Sequence, residues 1–135
     1  MDTQSYRRIM FTAAAWWNWV AALLFMGMAA LTPQLTSLFL NEPLASFLWF
    51  YLFFGLVAVL GWGYYLVAQD PHRNRNIIKL GVLGKLFVVA VIVGAWWTGQ
   101  LTLLTVAAVA VDLVFALLFI GVLKKMPDTE RSKAG

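Results

Sequence analysis

The sequence predicts an all-α integral membrane protein, a single antiparallel four-helix bundle over residues 1–135 with both termini on the cytoplasmic side. Three observations lead there. Of the 135 residues, 62% are hydrophobic and only 12% charged, far from the balance of a water-soluble domain. Four apolar windows, about 9–31, 44–68, 77–97 and 101–123, each reach the roughly 20 residues that carry a helix across a hydrocarbon core of about 30 Å. Apart from one lysine inside the third window, the lysines and arginines fall on one side of the topology these windows imply. A membrane β-barrel needs alternation of apolar and polar residues in segments of about ten, whereas "GLVAVLGWG" and "LLTVAAVAV" are apolar on every side.

The first span follows Arg7 and Arg8. It is longer than the roughly 7 to 15 apolar residues of a signal peptide and lacks a small-residue cleavage site, so it is expected to stay in place. The arginine pair is the positive flank of that helix rather than an export signal. Pro33 and Pro43 punctuate the connection to the second span, and the "LTSLFL" between them is expected to lie along the membrane interface. The second span ends at "AQDPHRNRN": Pro71 cannot extend a helix, and Asn74 or Asn76 can cap the next one. Only "TGQ" separates the third span from the fourth, and connections this short make sequential helices antiparallel neighbours. Spans one and two could pair with three and four as a two-hairpin pseudo-repeat. Trp16, Trp17, Trp49, Trp96 and Trp97 fall toward span ends or outer halves, where indole anchoring at headgroups is the ordinary role.

Charge sets the orientation. Arg7 and Arg8 precede the first span, Arg73, Arg75 and Lys79 lie at the middle connection, and Lys124, Lys125, Arg131 and Lys133 follow the fourth. The other two connections carry no lysine or arginine, which puts both termini and the middle loop in the cytoplasm. Arg7, Arg8, Arg73, Arg75, Lys79, Lys124 and Lys125 are therefore read as lipid-headgroup contacts, worth about 1 kcal/mol each near anionic lipid. The net charge of +4 needs no nucleic acid to explain it.

Three polar residues interrupt the apolar spans. Lys85 lies eight residues into the third window, about 12 Å deep; Asp112 is eleven from the end of the fourth, about 16 Å; Asn18 is nine into the first, about 13 Å. They reach one level on three different helices. Asn18 has Ala14 and Ala22 four residues to either side, Asp112 has Ala108 and Ala116, and Lys85 has Gly81. Residues at that spacing share a helix face, and small residues mark faces where membrane helices approach closely, so all three side chains are expected to point inward. An unpaired charge at mid-membrane costs roughly 2.5 to 3.5 kcal/mol. Lys85 and Asp112 are accordingly expected to form a buried ion pair, with Asn18 completing its hydrogen bonds and Thr105, seven residues before Asp112, extending the network. Tyr64 lies about 6 Å from the end of its span. A hydroxyl at the interface is the simpler reading, a wall of a pocket the second.

Several chemistries are absent from the sequence. There is no cysteine, and the single histidine, His72, lies in the basic loop, so neither thiolate chemistry nor haem ligation by paired histidines is open to this chain. Gly61 and Gly63 make a bare Gly-x-Gly without the third glycine or the preceding strand of a dinucleotide site. Met26 and Met28 have no cysteine or suitably placed histidine to join them at copper. No P-loop, zinc motif or catalytic triad occurs, and no cofactor is expected.

"GYYLVAQDPHRNRNIIKLGVLGK", followed by an aspartate in the last span, resembles a group of small four-span bacterial inner-membrane proteins with a Gly-Tyr pair, an Asp-Pro-x-Arg turn and a Gly-Leu-Leu-Gly-Lys run. The likeness covers roughly the second half of the chain. It implies that Gly63, Tyr64, Asp70, Pro71, Arg73, Gly84, Lys85 and Asp112 belong together. Val82 interrupts the Leu-Leu run, and "LVF" follows Asp112 where that pattern has tryptophan. A more distant likeness to four-helix DoxX-type and sterol-isomerase-like membrane proteins is architectural and carries no function.

Three functions remain open, in this order. The chain could be an accessory subunit or a binding module for a lipid or other apolar ligand around Asn18, Lys85 and Asp112, with a protein partner or a second copy beside it. It could be an intramembrane enzyme whose acid and base shift a double bond in an apolar lipid. Or a dimer could carry a small molecule coupled to protons.

Overall fold

The computed structural model describes residues 2–126. Arg131, Lys133 and the rest of the C-terminal tail lie outside the described residues. Four helices make up the fold: α1 (Thr3–Leu31), α2 (Phe47–Gln69), α3 (Arg75–Trp97) and α4 (Leu103–Lys125). A short 3-10 turn, Pro33–Leu38, sits between α1 and α2. Each of the four helices is long and apolar enough to cross a membrane. The chain is thus a multipass, all-α bundle.

α1 starts well before the apolar window at Ile9 because its end is capped. The Asp2 carboxylate accepts the Ser5 amide at 2.6 Å, satisfying one of the orphan donors of the first turn. This bond holds the exposed Asp2 carboxyl below its ordinary 3.8. The sign follows: a lowered folded-state pKa contributes stability above the unfolded value, lost as pH falls through the folded one. The first turn of α1 is therefore expected to fray below about pH 3.8. Faster exchange of the Ser5 amide in acid would report it, and Asp2→Ala should show the same exchange at every pH.

The early start also moves Trp16 and Trp17 to the middle of α1, away from the headgroup position expected of them. Trp16 is 59% exposed on the outer face, while Trp17 turns inward. The anchoring role suits Trp49 and Trp97, which are exposed near helix ends.

The closest helix packing falls within two hairpins, α1 with α2 and α3 with α4. In the first, Gly61 is what permits the approach. A methyl there would lie 2.7 Å from the Trp19 indole nitrogen and 3.1 Å from the Asn18 Cβ. Without it, the Trp19 indole N–H donates to the Ala58 carbonyl at 3.1 Å and the Asn18 amide to the Val57 carbonyl at 3.0 Å.

At the end bearing the basic residues, the hairpins meet in an apolar core. Phe11 of α1 and Phe119 of α4 pack as tilted rings with centroids 4.7 Å apart, and Tyr64 of α2 meets Phe119 edge-on at 5.1 Å. Ile78, Val67 and Val122 fill in around them. The connecting loop is tied by its own side chains: Asp70 accepts the Arg73 amide at 3.0 Å, and Asn74 donates to the carbonyls of Leu66 and Asp70, both at 3.0 Å. Asn74 does stand at the N-cap position of α3, yet its amide closes the end of α2 instead.

At the opposite end the two loops clasp each other. Thr102 and Thr105 donate to the carbonyls of Leu38 and Phe39, each at 2.6 Å, and Asn41 donates to those of Gly99 and Leu101 at 2.8 and 3.1 Å. Gly99 makes the turn possible. It has φ +81°, and with it the Gln100 amide reaches Ala95 and the Gly99 amide reaches Trp96, a left-handed helix ending that favours glycine. Leu35 and Leu38 are exposed, whereas Thr36 is buried and Phe39 turns into the bundle. Packed at one end and clasped at the other, the hairpins leave a cavity between them.

Candidate ligand site at the buried ion pair

The cavity has a volume of about 300 Å³, at the low end of the range of small-molecule sites. Asn18, Lys85, Asp112, Tyr64 and Thr105 all line it, so residues from all four helices meet at one site.

Lys85 is at its centre. Its ammonium forms a salt bridge with Asp112 Oδ1 across the α3–α4 hairpin and donates to Asn18 Oδ1 on α1 at 3.3 Å. The same nitrogen sits over the ring faces of Tyr64 and Phe115, 5.3 and 5.5 Å from their centroids, within range of a cation–π attraction. Asn18 is held from both ends, since its amide nitrogen is spent on the Val57 carbonyl. The small residues around these groups do what their spacing implies: Ala14, Ala22 and Ala116 are fully buried and Gly81 presses against Tyr64. Within the pair the two charges differ in access. The Lys85 side chain is 6% exposed and that of Asp112 21%, which makes the carboxylate the more accessible member.

Tyr64 is the second of its two readings, a wall of the pocket and not an interfacial hydroxyl. It is fully buried, and its hydroxyl has no hydrogen-bond partner among the described residues. Depth along the helix misleads here because a helical side chain leans toward its own N-terminus. For α2 that direction is toward the cluster. Thr105 departs from expectation differently. It lines the cavity, but its hydroxyl is used by the Phe39 carbonyl at 2.6 Å, so it fastens the loop clasp and does not extend the ion-pair network.

The residues read as headgroup contacts divide in two. Arg8, Arg73, Lys79, Lys124 and Lys125 are exposed at the end bearing the apolar core. Arg7 and Arg75 are half-buried: Arg7 donates toward His72 Nε2 at 3.4 Å, and Arg75 donates to the Met126 carbonyl at 3.1 Å, joining α3 to the end of α4.

Part of the remaining lining is a group of aromatic rings absent from the sequence-based set of site residues. Phe25 stacks on Phe54 at 4.8 Å and meets Phe39 edge-on at 4.7 Å, with Phe50 4.8 Å from Phe54 and Trp17 nearby. Phe50, Phe54, Val57 and Tyr64 recur at helical spacing. That signal is present in the sequence, but in a helix apolar on all sides it cannot be told from lipid-facing residues. Compared with models of known families, with curated proteins and with solved structures, the chain matches none of them at a significant level.

Proposed function

We propose that this chain is a membrane-embedded binding module that takes an apolar molecule into the cavity between its two hairpins, with the Lys85–Asp112–Asn18 cluster receiving the ligand's polar group. The cavity itself carries this reading. It has a wall of aromatic rings, one concentrated polar patch and the composition typical of small-molecule sites, which are mostly apolar with a few placed polar groups. A pair serving helix register alone would need no cavity beside it.

The basic end of the bundle is assigned to the cytoplasm by the positive-inside rule, which makes the clasped loops the outer end. The proposed kinship with the small four-span inner-membrane proteins draws on the same residues: Gly84, Lys85, Asp112 and Tyr64 of that pattern line one cavity.

Gly84 provides the test. It lines the cavity, and a Cβ there would meet no atom within 4 Å. Gly84→Leu should leave the chain folded in detergent while removing the capture of apolar fluorophores by the purified chain. Undiminished capture by a well-folded Gly84→Leu would place binding elsewhere.

A further inference from the structure

Around the ion pair the donors are engaged or sealed in, and what stays open to the cavity is an acceptor. Lys85 donates to Asn18 and Asp112 and lies against the ring faces of Tyr64 and Phe115, so its buried ammonium is enclosed by the protein's own groups. The Asn18 amide donates to the Val57 carbonyl, and the Thr36 and Thr105 hydroxyls donate to the carbonyls of Pro33 and Phe39. The Tyr64 hydroxyl is fully buried against Gly81. Asp112 differs. Its Oδ1 accepts from Lys85, whereas its Oδ2 has no partner among the described residues, and its half-buried side chain lines the cavity.

An open carboxylate oxygen favours a ligand that donates. A hydroxyl proton directed at Oδ2 makes a charge-assisted bond, roughly twice as strong as one between neutral groups. A ligand oxygen that can only accept gains nothing there. Charge narrows the class further, because Lys85 and Asp112 are the two charged residues lining the cavity and they neutralise each other. An anion would stand beside Asp112 without a cation of its own, and a cation would leave the site with a net positive charge in low-dielectric surroundings. Both are costly, and a neutral donor avoids both. Depth points the same way. Asp112 lies near the middle of the 23-residue α4, so a phospholipid would have to draw its charged headgroup to mid-membrane to reach it, whereas a single hydroxyl on an apolar body carries no such burden.

We propose that the cavity selects neutral apolar alcohols and phenols, whose hydroxyl donates to Asp112 Oδ2 while the hydrocarbon body lies against the Phe25, Phe39 and Phe54 rings. This selectivity rests on the binding reading above. Asp112 recognises the hydroxyl, and Lys85 is a positioning residue that holds the carboxylate at the cavity wall.

The full-length chain in detergent can be titrated near neutral pH with five probes on one skeleton: naphthalene, 2-methoxynaphthalene, 2-naphthol, 2-naphthoate and 2-(aminomethyl)naphthalene, each corrected for uptake by protein-free micelles. The naphthol is expected to bind about tenfold or more tightly than its methyl ether, which lacks only the donor, and more tightly than the acid or the amine. Lys85→Met with Asp112→Leu keeps an apolar cavity of similar size without the carboxylate. In that variant the naphthol and the ether should bind alike, with naphthalene still taken up, a change of ratio that a purely structural role for the pair would not produce. Equal binding of naphthol and ether by the wild-type chain, tightest binding by the acid or amine, or a naphthol preference that survives in the double variant overturns the selectivity and leaves the binding module standing. If none of the five binds, the binding reading falls and the selectivity with it. Should the double variant not fold, Gly84→Leu takes its place: loss of the naphthol preference there assigns it to the cavity, and its persistence overturns the proposal.

Discussion

Lys85→Met is expected to destabilise the bundle by about 3–5 kcal/mol, the range for removing one member of a buried ion pair. The methionine fills a similar volume, so lost packing is not the cause. What remains is the Asp112 carboxylate without its cation and the Asn18 carbonyl without its donor. Changing both charged residues, Lys85→Met with Asp112→Leu, removes the desolvation cost together with the attraction, and replacing a whole buried pair by apolar residues is often neutral or better. The double variant should therefore recover most of the loss. Thermal unfolding of the three proteins in one detergent measures this directly. If the double variant is no more stable than Lys85→Met, the pair is not the contact that organises the centre of the bundle.

The second large effect is expected at Gly81. A methyl added there would stand 2.7 Å from Tyr64 Cε1 and 3.0 Å from its hydroxyl oxygen, closer than real side chains approach. The ring cannot swing clear, because it is fully buried and held edge-on by Phe119 at 5.1 Å. Overpacking of this kind costs about 1–3 kcal/mol, against a gain of about 1 kcal/mol for replacing glycine by alanine within a helix. Gly81→Ala should thus lower the thermal midpoint. Gly84→Ala is the control: it lies three residues along the same helix, where an added methyl meets nothing within 4 Å, so only the propensity gain applies. Equal stability of the two variants would mean that α2 and α3 are not in the contact shown here.

The ion pair lies within the α3–α4 hairpin and is joined to the other by Asn18, whereas Gly81 meets Tyr64 between the hairpins, and the two sites differ in how far the sequence announces them. An ammonium inside "GKLFVVAVIVG" is conspicuous because an unpaired charge is so costly in lipid. Cost of that size, with one carboxylate and one amide at similar depth, leaves few partners to choose from, and Lys85, Asp112 and Asn18 do converge. Gly81 is visible only as a small residue on the Lys85 face. That it meets the Tyr64 ring depends on the offset between α2 and α3, which no single-helix pattern encodes.

Tyr64 and Thr105 show the same limit from the other side. Counting residues along α2 gives the depth of the Tyr64 backbone, while the position of its hydroxyl depends on the lean of the side chain and on what packs against the ring. Thr105 shares a helix face with Asp112 at seven residues' separation, but a loop carbonyl lies nearer to it than the ion pair does. Pairing across a clasp of two loops is a long-range event, set by the Gly99 turn and by Asn41 reaching the opposite loop.

Read alone, the sequence determines that this chain is helical, crosses the membrane and brings a lysine and an aspartate inside it. Those results follow from burial cost, which acts on each residue through its own chemistry and depth, and so can be summed along the chain. The cavity, the aromatic wall and the half-buried position of the carboxylate are decided only by how the two hairpins are set against each other. Lipid solvates apolar side chains as readily as a protein interior does, so hydrophobicity cannot say which face of a membrane helix turns inward; close packing and the few polar contacts between helices make that choice.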